Sequence, residues 1–155
     1  MPLAVSKNGT VLLDFMRLNN TESPLEYDDI PVTFTMVGIR HENKYVFVHN
    51  MKRQQWEIPG GGLEIGETMA DCAQREVWEE SSQRVSDLAF KGLIKIKLAN
   101  NQRIEFGAIY IATLNEVTPF AVNNEMDGFI LWDLEQNIGD VGTISKAVLK
   151  LAYGI

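Results

Sequence analysis

The run Trp56-Glu57-Ile58-Pro59-Gly60-Gly61-Gly62-Leu63-Glu64-Ile65-Gly66-Glu67-Thr68-Met69-Ala70-Asp71-Cys72-Ala73-Gln74-Arg75-Glu76-Val77-Trp78-Glu79-Glu80 decides how the rest of the chain is read. A short strand runs into three glycines, and a helix is predicted from about Thr68, a good N-cap residue, to about Ser81. Ala70, Ala73 and Val77 give that helix an apolar side. A helix turns by about 100° per residue, so Glu76, Glu79 and Glu80 crowd within one turn. Carboxylates this close repel one another unless something cationic sits among them. A hard divalent ion with oxygen ligands is the simplest candidate. The glycines can adopt positive φ and bring the backbone close to a metal or a phosphate.

The same residues resemble the Nudix box, Gly-x5-Glu-x7-Arg-Glu-U-x-Glu-Glu-x-Gly-U, where U is aliphatic. Gly61, Glu67, Arg75, Glu76, Val77, Glu79 and Glu80 fall at its spacings, and Trp56-Glu57-Ile58-Pro59-Gly60 resembles the family's lead-in. Taken alone, neighbouring glutamates read as a solvated helix face; the match of spacing decides against that reading. Two positions depart. Ser82 stands where the family has Gly, and Gln83 where it has an aliphatic residue. Glycine there takes the left-handed conformation that ends the helix, and serine costs about 1 kcal/mol in that role. The resemblance implies an α/β (α+β) fold, the αβα sandwich with a mixed β-sheet between helices. It extends over residues 31–153, and the expectation is a single domain over 1–155 with the box at 61–83.

The resemblance also implies roles. Glu79 and Glu80 would be the principal ligands of Mg²⁺, with Mn²⁺ as a substitute. Glu76 would be a further ligand, or would orient or deprotonate the water. The carbonyl of Gly60 matches another ligand position. Arg75 would pair with the box carboxylates and hold the loop, and Glu67 is the loop glutamate that reaches the site. Family members place another catalytic or metal-binding glutamate before a strand ending in Trp. Glu125, in Asn123-Asn124-Glu125-Met126-Asp127, is the choice for that role, ahead of Asp127 and Glu105. Cys72 is expected as a small buried residue, where the family commonly has Ala.

Around the box, Arg40, Lys52 and Arg53 are candidates for phosphate contact, beside the backbone of Gly61 and Gly62. Phe34, Phe106 and Tyr110 are candidates for stacking on a base, although strand aromatics are usually core. Asn123 or Asn124 is a candidate for a purine edge. His41 is expected exposed in a turn, and His49 has no visible partner. The proline of ADP-ribose hydrolases is missing, since Lys97-Leu98-Ala99 occupies its region. The tyrosine of dinucleoside polyphosphate hydrolases and the coenzyme A pyrophosphatase signature are missing too. What remains resembles the compact MutT-like group, and Phe106-Gly107-Ala108-Ile109-Tyr110 adds to that likeness. The expected reaction is release of pyrophosphate from a purine (deoxy)nucleoside triphosphate, with an oxidised guanine nucleotide as one target. The alternatives are a nucleotide sugar, 5′-triphosphorylated RNA, or a nucleotide sensor without turnover. Sensors commonly lose box glutamates, and here all remain.

With 155 residues, 45% of them hydrophobic, the chain can bury a real core. A formal net charge of −7 and a pI near 4.8 argue against extended nucleic acid as a partner. They leave room for a nucleotide held by a metal and a few cations. Cys72 is the only cysteine, so no intrachain disulfide is available, consistent with a reducing compartment. Met1-Pro2-Leu3-Ala4-Val5-Ser6-Lys7 has no apolar signal core, and no run of about 18 apolar residues occurs. The protein is expected to be cytoplasmic and off the membrane; family members often dimerise, which makes a homodimer one option, though the sequence names no interface. Strands are predicted at 10–18, 32–40, 44–49, 55–58, 86–98, 103–113 and 129–132, with a closing helix at 143–153. Polar loops are predicted at 19–30 and 115–127.

Overall fold

The alternation in Val32–His41 serves two cores at once. Val37 and Ile39 pack into one, while Phe34 and Met36 pack against the other. That strand is therefore the middle of a sheet covered on both faces. The structure, a computed structural model, describes residues 1–18 and 30–155; the loop expected at 19–30 lies, apart from its last residue, outside the described residues. The strands are β1 (Ala4–Val5), β2 (Val11–Arg17), β3 (Val32–His41), β4 (Lys44–Asn50), β5 (Gln55–Glu57), β6 (Gly60–Gly62), β7 (Ser86–Lys97), β8 (Ile104–Thr113) and β9 (Met126–Trp132). The helices are α1 (Met69–Ser81) and α2 (Thr143–Tyr153).

The sheet runs β1-β2-β7-β8-β3-β4-β5, with β6 also paired to β3 and β9 to β4. β3 and β8 are parallel and the other pairs antiparallel, so the sheet is mixed. Ala73 and Val77 of α1 pack with Val37, Ile39, Val46, Leu93 and Ala108. Val148, Leu149 and Ala152 of α2 pack with Leu12, Phe47, Ile94 and Ile109 on the other face. Each such large side chain, fully buried, contributes about 1.5–3 kcal/mol. This is the αβα sandwich that the sequence implies. No helix among the described residues is long and apolar enough to cross a membrane.

Three local differences matter for the site. The strand expected at 55–58 is β5, which ends at Glu57, and Ile58-Pro59 leads from it to a further strand, β6. The glycines themselves are a strand: Gly62, Gly61 and Gly60 register with Phe34, Thr35 and Met36. β3 thus forks, giving one edge to β6 at 34–36 and to β4 at Arg40 and His41. Third, β9 begins at Met126, inside the expected loop.

Helix α1 starts as predicted, with the Thr68 hydroxyl accepting from the Asp71 amide at 3.1 Å. It ends on Ser82 in the left-handed region, φ 61°. The serine hydroxyl accepts from Ala121 N at 3.1 Å, a bond that glycine cannot make. Gln83 is buried, and its amide donates to Thr118 O at 2.7 Å and accepts from Thr118 N at 2.9 Å. Both departures from the box therefore pin the segment after β8 to the end of α1.

Candidate active site

β6 lies between β3 and α1, and its lack of side chains has a steric cause. A Cβ on Gly60 would sit 2.3 Å from Thr35 O, and one on Gly61 would sit 2.5 Å from the carboxyl carbon of Glu76. The close approach brings α1 glutamates onto backbone: Gly60 N donates to Glu80 Oε1 at 2.9 Å. Cys72 is buried under the same strand, 3.4 Å from Thr35 Oγ1 and 3.5 Å from Gly62 O, and burial pushes its thiol up.

Arg75 organises the loop side. Its guanidinium donates to Glu67 at 2.7 and 2.9 Å, to Glu76 at 2.7 Å, to Glu79 at 3.1 Å and to Gly62 O at 2.9 Å. The fork geometry of arginine suits this multiple engagement. Glu67 is held down to about 2 by those Arg75 bonds, helped by the Glu64 amide. Arg75 itself is raised by Glu67. Glu76 is raised by burial, against the pull of Arg75. Glu80 is pushed up to about 9: burial dominates, the Gly60 amide opposes it, and the charges of Glu76, Glu125 and Glu57 add to it.

A cavity of about 450 Å³ opens on the α2 side of β6. Phe34, Met36, Ile94 and Ile96 form its apolar wall, with Arg53, Glu57, Glu105 and Lys7 among the polar groups around it. That size and mixture suit a small molecule. The three α1 glutamates are not part of its lining; the carboxylates and the cavity meet at Gly60–Gly62, which both touch.

The expected site residues divide accordingly. Glu67, Arg75, Glu76, Glu79, Glu80 and Gly60 come together, and Glu125 is near enough to raise both Glu76 and Glu80. Gly61, Gly62, Phe34 and Arg53 line the cavity. Arg40 lies apart from both groups: it registers with Thr113 at the far end of β3, and its Nε donates to Glu42 O at 2.8 Å. At about 3.3 Å of rise per residue, four residues from Met36 place it more than 10 Å along the strand from β6. Asn123 lies at α1. Its side chain donates to Glu79 O at 3.1 Å and accepts from the amides of Glu125 and Met126, so it fastens the loop to α1. Asp127 is taken by His49 Nδ1 at 2.6 Å, giving that histidine the partner the sequence hides. His41 is half-buried, its Nδ1 2.7 Å from Leu114 O, rather than free in a turn.

Sequence reasoning missed the group around Glu57. Arg53 holds its carboxylate at 2.7 and 2.9 Å, and Gln55 and Asn50 donate to it at 2.7 and 3.2 Å. Arg53 is raised mainly by that bond. The available signal was the pair of polar residues flanking Trp56 in a short strand, which points both toward one face.

Among the described residues, no three His, Cys, Asp or Glu side chains converge as a ready cage for an ion. Arg75 engages Glu76 and Glu79, and Glu80 turns to the Gly60 amide. The donor set nonetheless fits Mg²⁺ chemically. It is all oxygen, and burial beside Glu76, Glu125 and Glu57 pushes its member Glu80 up to about 9, a crowding that a cation would relieve.

A family model described as the NUDIX domain matches residues 30–144. A MutT-like protein of Streptomyces ambofaciens is 34% identical over 64 residues, 41% of this chain and 42% of that protein. The NAD-capped RNA hydrolase NudC of Vibrio atlanticus is 25% identical over 118 residues, 74% of this chain and 43% of that protein. The chain thus spans less than half the length of these relatives. The crystal structure of the pyrophosphohydrolase BsRppH from Bacillus subtilis superposes with a TM-score of 0.73 at 22% identity, covering 97% of this chain and 92% of that one.

Proposed function

The chain belongs to the NUDIX domain family, and from that premise we propose that it is a Mg²⁺-dependent hydrolase of phosphoanhydride bonds, converting a purine nucleoside triphosphate to the monophosphate and pyrophosphate. One observation carries this reading. Glu67, Arg75, Glu76, Glu79 and Glu80 gather against a glycine strand that also walls a nucleotide-sized cavity.

Glu76, Glu79, Glu80 and the Gly60 carbonyl would hold the metal. When bound, it neutralises phosphate charge and lowers the pKa of a bound water. Arg75 fixes Glu76 and the loop through Glu67, so these carboxylates are placed before substrate arrives. The Gly60 amide orients Glu80. Side-chain-free Gly61 and Gly62 let phosphates approach the backbone. Glu76 or Glu125 would take the proton of the attacking water, and Phe34 offers a ring to the base.

The test is a product-resolved screen with Mg²⁺ over nucleoside triphosphates, 8-oxo-dGTP, ADP-ribose, nucleotide sugars and dinucleoside polyphosphates, with Glu79→Gln as control. Monophosphate plus pyrophosphate, lost in the variant, is the expected result. Turnover of the diphosphate-linked compounds alone would move the chain to another substrate class, and silence throughout would favour a nucleotide sensor. A second reading, a 5′-triphosphorylated RNA end, draws support from the likeness to the NAD-capped RNA hydrolase NudC, a protein that acts on capped RNA. A short 5′-triphosphorylated oligonucleotide in the same screen separates it: preference over the free triphosphate would establish it.

A further inference from the structure

Glu105 faces the cavity but belongs to no group assigned above. It registers with Ile96 on β7, and Gly107, two residues on, registers with Ile94, so both positions point to the same side of the sheet as that apolar wall. The Phe34 ring lies directly over Gly107; a Cβ there would sit 2.3 Å from it. Residues i and i+2 of a strand are about 6.8 Å apart. The Glu105 carboxylate therefore flanks the edge of the Phe34 ring. Gly62, Phe34 and Gly107 sit on successive strands β6, β3 and β8, a span of about 10 Å at two strand spacings. That places Glu105 on the far side of the aromatic platform from the glycines and the glutamates.

Its surroundings fix the carboxylate. Thr33 Oγ1 donates to Oε1 at 2.8 Å, and Arg103 Nη2 donates to Oε2 at 2.7 Å. Both bonds hold its pKa below the ordinary value, so it is an acceptor. An ionised carboxylate has about four lone-pair sites, and these partners use two. Thr33 is the extra residue of a bulge, since Val32 registers with Phe106 and Phe34 with Gly107. Bulges re-aim side chains, and this one turns a hydroxyl onto Glu105. A surface ion pair with the exposed Arg103 would stabilise little and would need no such bulge.

We propose that Glu105 reads the base: its carboxylate accepts the adjacent ring N1–H and exocyclic amine of a guanine edge while the ring stacks on Phe34, so the cavity takes guanine nucleotides ahead of adenine nucleotides. Adenine presents a ring acceptor where guanine presents the N1–H, and an acceptor against a carboxylate is repelled. The inference rests on reading the cavity as the nucleotide site.

The test compares GTP, ITP and ATP in the wild-type protein, Glu105→Gln and Arg103→Ala. Turnover gives kcat/KM. Equilibrium dialysis of the Glu79→Gln protein with Mg²⁺, with and without Glu105→Gln, gives base choice without turnover. We expect at least about a tenfold preference for GTP over ATP, with ITP between them. The preference collapses in Glu105→Gln and persists in Arg103→Ala, which keeps the carboxylate and removes only its exposed partner. Equal handling of GTP and ATP, or equal loss in Arg103→Ala, overturns the inference. A preference in binding with no turnover of any nucleotide sustains it while defeating the proposed reaction. Turnover without base preference does the reverse, and binding of neither nucleotide defeats both.

Discussion

The loop before α1, where Glu67 meets Arg75, and the buried end of the helix, built around Glu80, hold their carboxyl groups in opposite states, with Glu76 between them raised by burial though paired with Arg75. Around Arg75, each glutamate has a hydrogen-bonded cation, and Glu67 falls to about 2. At Glu80 one backbone amide stands against burial and three like charges, and the carboxyl rises to about 9. Arg75 already supplies Glu67 with its cation, whereas at Glu80 a cation is what would favour ionisation. On the proposed reading, Glu67 and Arg75 build the loop side of the site, and Glu80 is the ligand whose charge depends most on a cation.

The largest test of that contrast is Glu80→Gln. We expect kcat/KM to drop by at least about 100-fold, as for loss of a metal-site partner. The metal-free variant should melt no lower than the wild type, because Gln keeps an acceptor for Gly60 N and removes the crowded charge. An unchanged Mg²⁺-induced rise in Tm would break the assignment. Arg75→Ala is the converse case: it strips hydrogen bonds from charged groups and should cost about 2 kcal/mol in urea unfolding, with or without Mg²⁺.

Titration sharpens the comparison. The Glu80 carboxyl ionises at 4.5 in the unfolded chain and about 9 in the metal-free fold, so between these values the folded state holds the extra proton. Its contribution to stability is complete below 4.5 and fades as pH rises toward 9. Saturating Mg²⁺ should flatten that slope in thermal melts. Glu67 has the opposite sign. Its folded value of about 2 lies below 4.5, so its contribution is present above 4.5 and is lost as pH falls toward 2. The remaining two effects are smaller. Gln83→Leu restores an aliphatic box residue but leaves Thr118 N and O without their partner, at about 1–2 kcal/mol. Ser82→Gly relieves the left-handed conformation and loses the Ala121 bond, so the two should cancel to within about 1 kcal/mol.

Much of α1 was legible because its signals are local: a capping threonine, an apolar stripe, and carboxylates at helical spacing. The glycine strand was not, since three residues without side chains carry no period. Arg40 misled because it lies beside the hairpin in sequence, and nothing local says that β3 meets β6 at its other end. The two departures, Ser82 and Gln83, were visible as exceptions. Their purpose was not, because their partners Thr118 and Ala121 lie 35 and 39 residues on. Glu105 ranked third as a catalytic carboxylate because the sequence cannot show which groups its strand neighbours bring to it.

The parallel pairing of β3 with β8 also has a consequence in time. β7 and β8 join through a short turn, and their pairing closes a small loop. β3 reaches β8 only after the whole of 42–103 has been bridged, and β6 and the helix it supports are hung on β3. Loop-closure entropy must be met before such distant contacts return anything. The chain should therefore reach a collapsed stage with the β7–β8 hairpin formed and no catalytic centre, so that recovery of activity on refolding lags recovery of secondary structure.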